Sequence, residues 1–170
     1  MHVAPRYARP PRERRAYSLL ELTAVVAVVG VLAGVAAMRF GHDTIAYSAA
    51  EGYASQLSLA IRLARRQAIS EGLPAAVVLS RDSGAVASAT IVRVGGSGDE
   101  PVDAVLSVPR HVVVTAPSDR WQFDFTGALS TPAAGGTIQV APVVDDWEDY
   151  RWRLTVTAAT GHTLVEREEI

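Results

Sequence analysis

The sequence predicts an α+β protein in which one long N-terminal helix packs, through its second half, on an antiparallel β-sheet domain. The first observation is an apolar run at residues 19–38, where only Glu21 and Thr23 are polar. At about 1.5 Å per residue, a helix of that length crosses one hydrocarbon thickness. The second observation is a change after Pro74 to short β-rich runs separated by turn residues.

Charge is unevenly distributed along the chain. Residues 1–16 hold five arginines and one acid, a net charge of +4, whereas residues 17–170 have a net charge of −6. A basic flank before an apolar helix predicts that the N-terminus stays in the cytoplasm and the C-terminal part crosses the membrane. The acidic remainder is not typical of a general nucleic-acid binder. The absence of cysteine excludes disulfides, a thiol nucleophile and a cysteine-based zinc site.

The apolar run has three interpretations. It could be a secretory signal peptide, since Arg14-Arg15 resembles a twin-arginine signal and Val35–Ala37 could serve as a cleavage site. However, the run exceeds the usual 7–15 residues and contains Glu21. It could be a plain uncleaved anchor, but a carboxylate deep in a membrane helix costs about 2.5–3.5 kcal/mol, which leaves Glu21 unexplained. The third interpretation accounts for every residue.

Residues Ala16-Tyr17-Ser18-Leu19-Leu20-Glu21-Leu22 resemble the prepilin processing motif of type IV pilins and type II secretion pseudopilins. The resemblance implies cleavage between Ala16 and Tyr17 by a prepilin peptidase, followed by N-methylation of Tyr17. It makes Glu21 the fifth residue of the mature chain, which pairs with a neighbouring subunit's N-terminal amine. Ala16 stands where glycine is usual, and Tyr17 where phenylalanine is usual. A partner amine at the same depth would offset the cost of a carboxylate in lipid.

Helical periodicity continues beyond the apolar run to about Ser70, and Gly72 followed by Pro74 predicts the end of the helix. Residues at three- and four-residue spacing form an apolar stripe, and polar residues form a solvated face on the other side. The stripe consists of Ala46, Ala49, Ala50, Tyr53, Leu57, Ala60 and Ala64, and the solvated face of Glu51, Ser55, Ser58, Arg62, Arg65 and Arg66.

The end of the helix carries a second resemblance. The pattern Leu-Ala-Arg-x-x-Ala-Ile-x-x-Gly at residues 63–72 is similar to the end of the long helix in the GspH/FimT family. That family comprises minor pseudopilins of type II secretion and related minor pilins of type IV pili. The positions that carry the helix motif are Ala64, Arg65, Ala68, Ile69 and Gly72.

The chain after Pro74 predicts seven strands, with a short eighth at residues 104–108 left open. Alternation in residues 121–125 and 152–156 indicates half-buried strands with one face in solvent. Glycine-containing segments, among them residues 95–99, predict the turns between them. The seven strands are Ala75–Leu79, Ser88–Val94, His111–Thr115, Trp121–Phe125, Thr137–Val140, Arg151–Thr157 and Thr163–Val165.

This domain is also similar to the GspH/FimT domain, in the Phe-x-x-x-Gly stretch at residues 123–127 and in the final hairpin at 154–165. His162 stands where the family has arginine. The resemblance implies a type IV pilin-like fold with four parts. These are a basic leader (1–16), a transmembrane half-helix (17–38), an amphipathic half-helix (39–72) and a periplasmic β-rich domain (73–170).

The resemblance implies a minor pseudopilin of a type II secretion system: a structural subunit of the pseudopilus tip, without a cofactor and not an enzyme. Its implied partners are the prepilin peptidase, other pseudopilins and the inner-membrane assembly platform. One alternative is a minor pilin of a type IV pilus, including DNA uptake, but the acidic tail Glu166–Ile170 would repel phosphates. Another is an exported soluble enzyme with a twin-arginine signal.

No catalytic or metal site is predicted. The four histidines, His2, His42, His111 and His162, are widely separated and lie in no recognisable catalytic arrangement. The cluster of Asp145, Asp146, Glu148 and Asp149 could offer oxygen ligands to Ca²⁺. Because it lacks alternate-residue spacing around a central glycine, a charged hairpin tip is the favoured interpretation.

Overall fold

The computed structural model describes residues 18–96, 98–143 and 150–169. The chain divides into two compact units, residues 1–40 and 41–170. Helix α1 spans Leu19–Glu71. It ends where the sequence predicts, because Gly72 has φ +68°, a left-handed conformation that glycine adopts without strain and that terminates helices.

Ten antiparallel strands follow among the described residues. They are β1 (Ala75–Asp82), β2 (Ala85–Gly95), β3 (Gly98–Pro101), β4 (Leu106–Ser107), β5 (Val112–Thr115), β6 (Arg120–Phe123), β7 (Leu129–Thr131), β8 (Gly136–Pro142), β9 (Tyr150–Val156) and β10 (Thr163–Glu169). One sheet has the order β3-β2-β1-β6-β7, with β4 also paired to β2, and the other has the order β10-β9-β8-β5. The α+β prediction is confirmed, with two sheets rather than one.

The second half of α1 contributes to a single core together with both sheets. Leu57 and Ile61 are fully buried, as are Trp121 of the first sheet and Leu154 of the second. Small side chains on the helix stripe let the strands approach closely, which raises packing density. Of the predicted stripe, Ala46, Ala50, Tyr53, Leu57 and Ala64 are buried, and Ala49 and Ala60 are half-buried.

Four details differ from the sequence prediction. Ser58, expected on the solvated face, is only 4% exposed. Residues 98 and 99, expected in the turn at 95–99, belong to the short edge strand β3, and the sequence does not predict β7. Strand β6 ends at Phe123, so Phe125, which continues the alternation in the sequence, is 63% exposed.

Candidate assembly site

The first part of α1 has no stripe that faces a core. Residues Leu19–Ala36 form a stretch long and apolar enough to cross a membrane, with a mean hydropathy of 2.4 and no buried residue. Val25, Val26, Val28 and Val31 are distributed around the helix, and each is 55–68% exposed. A helix that is apolar on every side is typical of a membrane span or of a helix covered by neighbouring helices.

Glu21 lies in the first turn of α1, where the helix dipole favours an acid. Ser18 caps this turn. Its Oγ accepts a hydrogen bond from the Leu20 N–H at 3.3 Å, and its carbonyl oxygen accepts one from the Leu22 N–H at 3.1 Å. The Glu21 side chain is exposed, and it has no hydrogen-bond or ion-pair partner within the part of the chain that the structure describes. Its carboxylate is therefore open to a group from another molecule.

Several predicted site residues lie outside the described residues. These are Ala16 and Tyr17 of the cleavage motif, and Asp145, Asp146, Glu148 and Asp149 of the acidic cluster. Within residues 18–96, 98–143 and 150–169, no group of three or more His, Asp or Glu side chains could hold a metal ion.

The helix motif lies against the β-rich domain. Ala64 and Ala68 are fully buried. The Nε of Arg65 donates a hydrogen bond to the carbonyl oxygen of Gly127 at 3.1 Å. The Cδ1 of Ile69 lies 2.6 Å from the position that a Cβ would occupy on Gly127, so a side chain there would clash. The prediction of a solvated arginine face is therefore wrong at Arg65, whose side chain binds the backbone of the β-rich domain.

Gly161, in the hairpin between β9 and β10, lies against Gly127 and Arg65. Its φ is +59°, and a Cβ there would collide with the carbonyl oxygen of Gly127. The same Cβ would lie 2.9 Å from the Cδ of Arg65 and 3.0 Å from the Cε1 of Phe123. Three stretches that the sequence sets apart, the helix motif, the Phe-x-x-x-Gly stretch and the final hairpin, thus meet. We call Arg65, Ile69, Phe123, Gly127 and Gly161 the motif junction.

Asp124 holds the turn that carries Gly127. Its Oδ1 accepts hydrogen bonds from the Thr126 N–H at 2.8 Å, the Thr126 hydroxyl at 2.6 Å and the Ala128 N–H at 3.0 Å. The hydroxyl of Thr126, supported by backbone N–H groups, holds the pKa of Asp124 below its ordinary value. The fixed turn presents the Gly127 carbonyl to the helix.

A second arginine of the helix also binds the backbone. The Nη2 of Arg62 donates to the carbonyl oxygen of Thr163 at 3.2 Å, although the Arg62 side chain is largely exposed. Arg66 and His162 are exposed, as expected for a solvated face. The solvated-face prediction therefore holds fully only for Arg66 among the three helix arginines.

The last residue of α1 is tied to the first sheet. The two carboxylate oxygens of Glu71 accept hydrogen bonds from the Nε and Nη2 of Arg93 at 2.7 and 3.0 Å. Gln67 donates a further hydrogen bond to Glu71 at 3.1 Å. Hydrogen bonding from Arg93, and then from Gln67, lowers the pKa of Glu71.

Sequence reasoning missed Asp124 and Gly161 as site residues. The segment Asp124-Phe125-Thr126-Gly127 contains a signal for this turn, because an Asp side chain often binds the backbone two residues later and glycine accepts a positive φ. Gly127 has φ +82°. Gly161 lies within the final hairpin that the sequence predicts at residues 154–165, but nothing in the sequence indicates which distant side chains it contacts.

Comparison with known families gives a match to a family model. Residues 53–160, more than half of the chain, match the model described as "Type II transport protein GspH". A search of curated protein sequences finds no match. The matched range includes the helix motif and Gly127.

Solved structures with a similar fold include two kinds of protein. The minor pseudopilin EpsH from the type 2 secretion system of Vibrio cholerae is 15% identical with a TM-score of 0.55, covering 69% of this chain and 95% of EpsH. The type IV minor pilin FimU of Pseudomonas aeruginosa is 17% identical with a TM-score of 0.55, covering 68% of this chain and 91% of FimU. At these identities the likeness establishes a shared fold.

Proposed function

The chain belongs to the family of the type II transport protein GspH, and from this premise we propose that it is a minor pseudopilin of a type II secretion system. It is a structural subunit of the periplasmic pseudopilus near its tip and works in protein secretion without catalysing a reaction. The observation that carries the proposal is the apolar segment Leu19–Ala36, none of it buried, with Glu21 in its first turn, on a chain of this family.

Topology follows from charge and hydropathy. The arginine-rich leader (1–16) stays in the cytoplasm, residues 17–38 cross the bacterial inner membrane once, and residues 73–170 lie in the periplasm. Prepilin peptidase removes the leader between Ala16 and Tyr17 and methylates the amine of Tyr17. The inner-membrane assembly platform then adds the subunit to other pseudopilins.

Glu21 brings each subunit into register. A carboxylate inside the membrane is costly when it is alone, and an amine from a neighbouring subunit at the same depth offsets that cost. Its position in the capped first turn of α1, without a partner among the described residues, supports this role.

Mass spectrometry of the mature N-terminus tests the proposal. The full chain, produced together with a prepilin peptidase, is expected to begin at N-methyl-Tyr17. The variant Ala16→Glu, which places a charge directly before the cut, is expected to keep its leader. A mature chain that begins after Ala37 would instead identify a cleaved export signal, and with it an exported soluble protein.

A second candidate function is a minor pilin of a type IV pilus, favoured by the similarity to FimU. If that pilus took up DNA, residues 40–170 would shift DNA in a gel, and the shift would weaken with salt. Against DNA binding, Glu166, Glu168 and Glu169 place three acids on the edge strand β10.

A further inference from the structure

A basic groove lies between the last turns of α1 and the hairpin that joins β9 to β10. It has a volume of about 470 Å³. Arg62, Arg65, Arg66 and His162 line it, and no carboxylate lines it among the described residues. The surrounding chain, residues 17–170, has a net charge of −6, so this concentration of three arginines is a local exception. A concave site lined by charge of one sign attracts the opposite sign.

Two of the groove's guanidinium groups are already held in place. Arg62 and Arg65 each donate one hydrogen bond to a backbone carbonyl, of Thr163 and Gly127 respectively. A guanidinium group has five N–H donors, so both arginines retain donors for a ligand. Because the fold has already ordered these long side chains, less conformational entropy is lost when they bind an anion.

We propose that the basic groove binds a short acidic segment of a partner protein, with its carboxylates on Arg62, Arg65 and Arg66. A short acidic segment fits better than an extended polyanion, because residues 17–170 have a net charge of −6 and would repel phosphates that extend beyond the groove. The inference rests on the proposed function, in which the domain meets other subunits or a secreted protein.

Binding of a defined probe tests this inference. The probe is the fluorescein-labelled peptide Glu-Glu-Trp-Glu-Glu, titrated with the full chain in detergent at low salt, with Gln-Gln-Trp-Gln-Gln as the neutral control. We expect the acidic peptide to bind and the neutral peptide not to bind. Arg66→Glu is expected to weaken binding by about tenfold, because it replaces a charge-assisted contact with repulsion. The matched variant Arg110→Glu reverses an exposed charge outside the groove and should leave the affinity unchanged.

Equal losses in Arg66→Glu and Arg110→Glu would overturn the assignment, as would the absence of binding to the acidic peptide. Tighter binding of a 12-nucleotide single-stranded DNA than of the peptide would also overturn it, in favour of a nucleic-acid surface. If Arg66→Glu lowers the urea midpoint, His162→Glu on the exposed hairpin replaces it. If the peptide does not bind, the mature chain can still begin at N-methyl-Tyr17, and the proposed function stands. If the mature chain begins after Ala37, the proposed function fails, but the groove can still bind the peptide. The two proposals therefore fail separately.

Discussion

Replacement of Gly161 by alanine tests the motif junction directly. Gly161 has φ +59°, where an L-residue costs about 1–2 kcal/mol relative to its preferred regions. The added methyl group would also collide with the Gly127 carbonyl oxygen and crowd the Cδ of Arg65 at 2.9 Å. Overpacking of this kind costs about 1–3 kcal/mol. Gly161→Ala should therefore lower the free energy of unfolding by about 2–5 kcal/mol.

Gly72→Ala is the matched control. Gly72 has a similar φ of +68°, but nothing lies within 4 Å of the position that its Cβ would occupy. It therefore isolates the backbone cost, about 1–2 kcal/mol. Urea unfolding of the full chain in detergent, followed by tryptophan fluorescence to which the buried Trp121 and Trp152 contribute, measures both variants. Equal losses of stability in the two variants would refute the close packing of the hairpin against the helix.

Three further predictions concern other parts of the chain. Glu21→Val should insert into the membrane but co-assemble poorly with other pseudopilins in cross-linking assays. The control Glu21→Asp keeps the carboxylate and should retain assembly. Unchanged incorporation of the valine variant would refute the pairing role of Glu21. The hydrogen bond from Arg93 lowers the pKa of Glu71, so this pair stabilises the fold above the unfolded pKa of about 4.3 and loses its effect as the pH falls through the folded value. The urea midpoint should thus fall less steeply between pH 7 and pH 3 in Glu71→Gln than in the wild-type protein. Parallel plots of midpoint against pH for the two proteins would contradict this prediction. Burial raises the pKa of Tyr53 to about 12, and its hydroxyl has no hydrogen-bond partner among the described residues. Because removal of an unpaired buried hydroxyl relieves its desolvation cost, Tyr53→Phe should raise the free energy of unfolding by about 1 kcal/mol. A variant less stable than the wild type would show that the hydroxyl has a partner.

Periodicity predicts the elements whose side chains are sorted by burial. The three- and four-residue spacing from Ala46 to Ala64 identifies the face of α1 that the core covers, and alternation identifies β9, whose Trp152, Leu154 and Val156 are buried. Such patterns are visible in the sequence because burial repeats with the period of the element. Short edge strands such as β3 bury little and leave no such pattern.

Local turn chemistry overrides periodicity at Phe125. The alternation of Trp121 and Phe123 continues to Phe125, but the side chain of Asp124 binds the backbone and ends the strand. A prediction from hydrophobicity alone cannot detect this competition between side-chain and ladder hydrogen bonds. The same limitation applies to Ser18, whose hydroxyl caps the first turn of α1.

The residues of the candidate site also fall into two groups, those that the sequence reveals and those that only the fold reveals. Glu21 is recognisable in the sequence because an acid in an apolar run is exceptional. The contacts of Arg62 and Arg65 are not recognisable, because each arginine binds a carbonyl oxygen that any residue could supply. Only the fold determines which backbone carbonyl lies within reach of a helix arginine.

The hydrogen bond from Arg62 to Thr163 joins residues 101 positions apart, and that from Arg65 to Gly127 joins residues 62 apart. Contacts at such separations form late, because a long loop must close before they stabilise anything. During synthesis, helix α1 leaves the ribosome before the final hairpin, so part of its apolar face stays uncovered until that hairpin has been made. The order of emergence from the ribosome therefore gives this protein an interval in which premature association competes with folding.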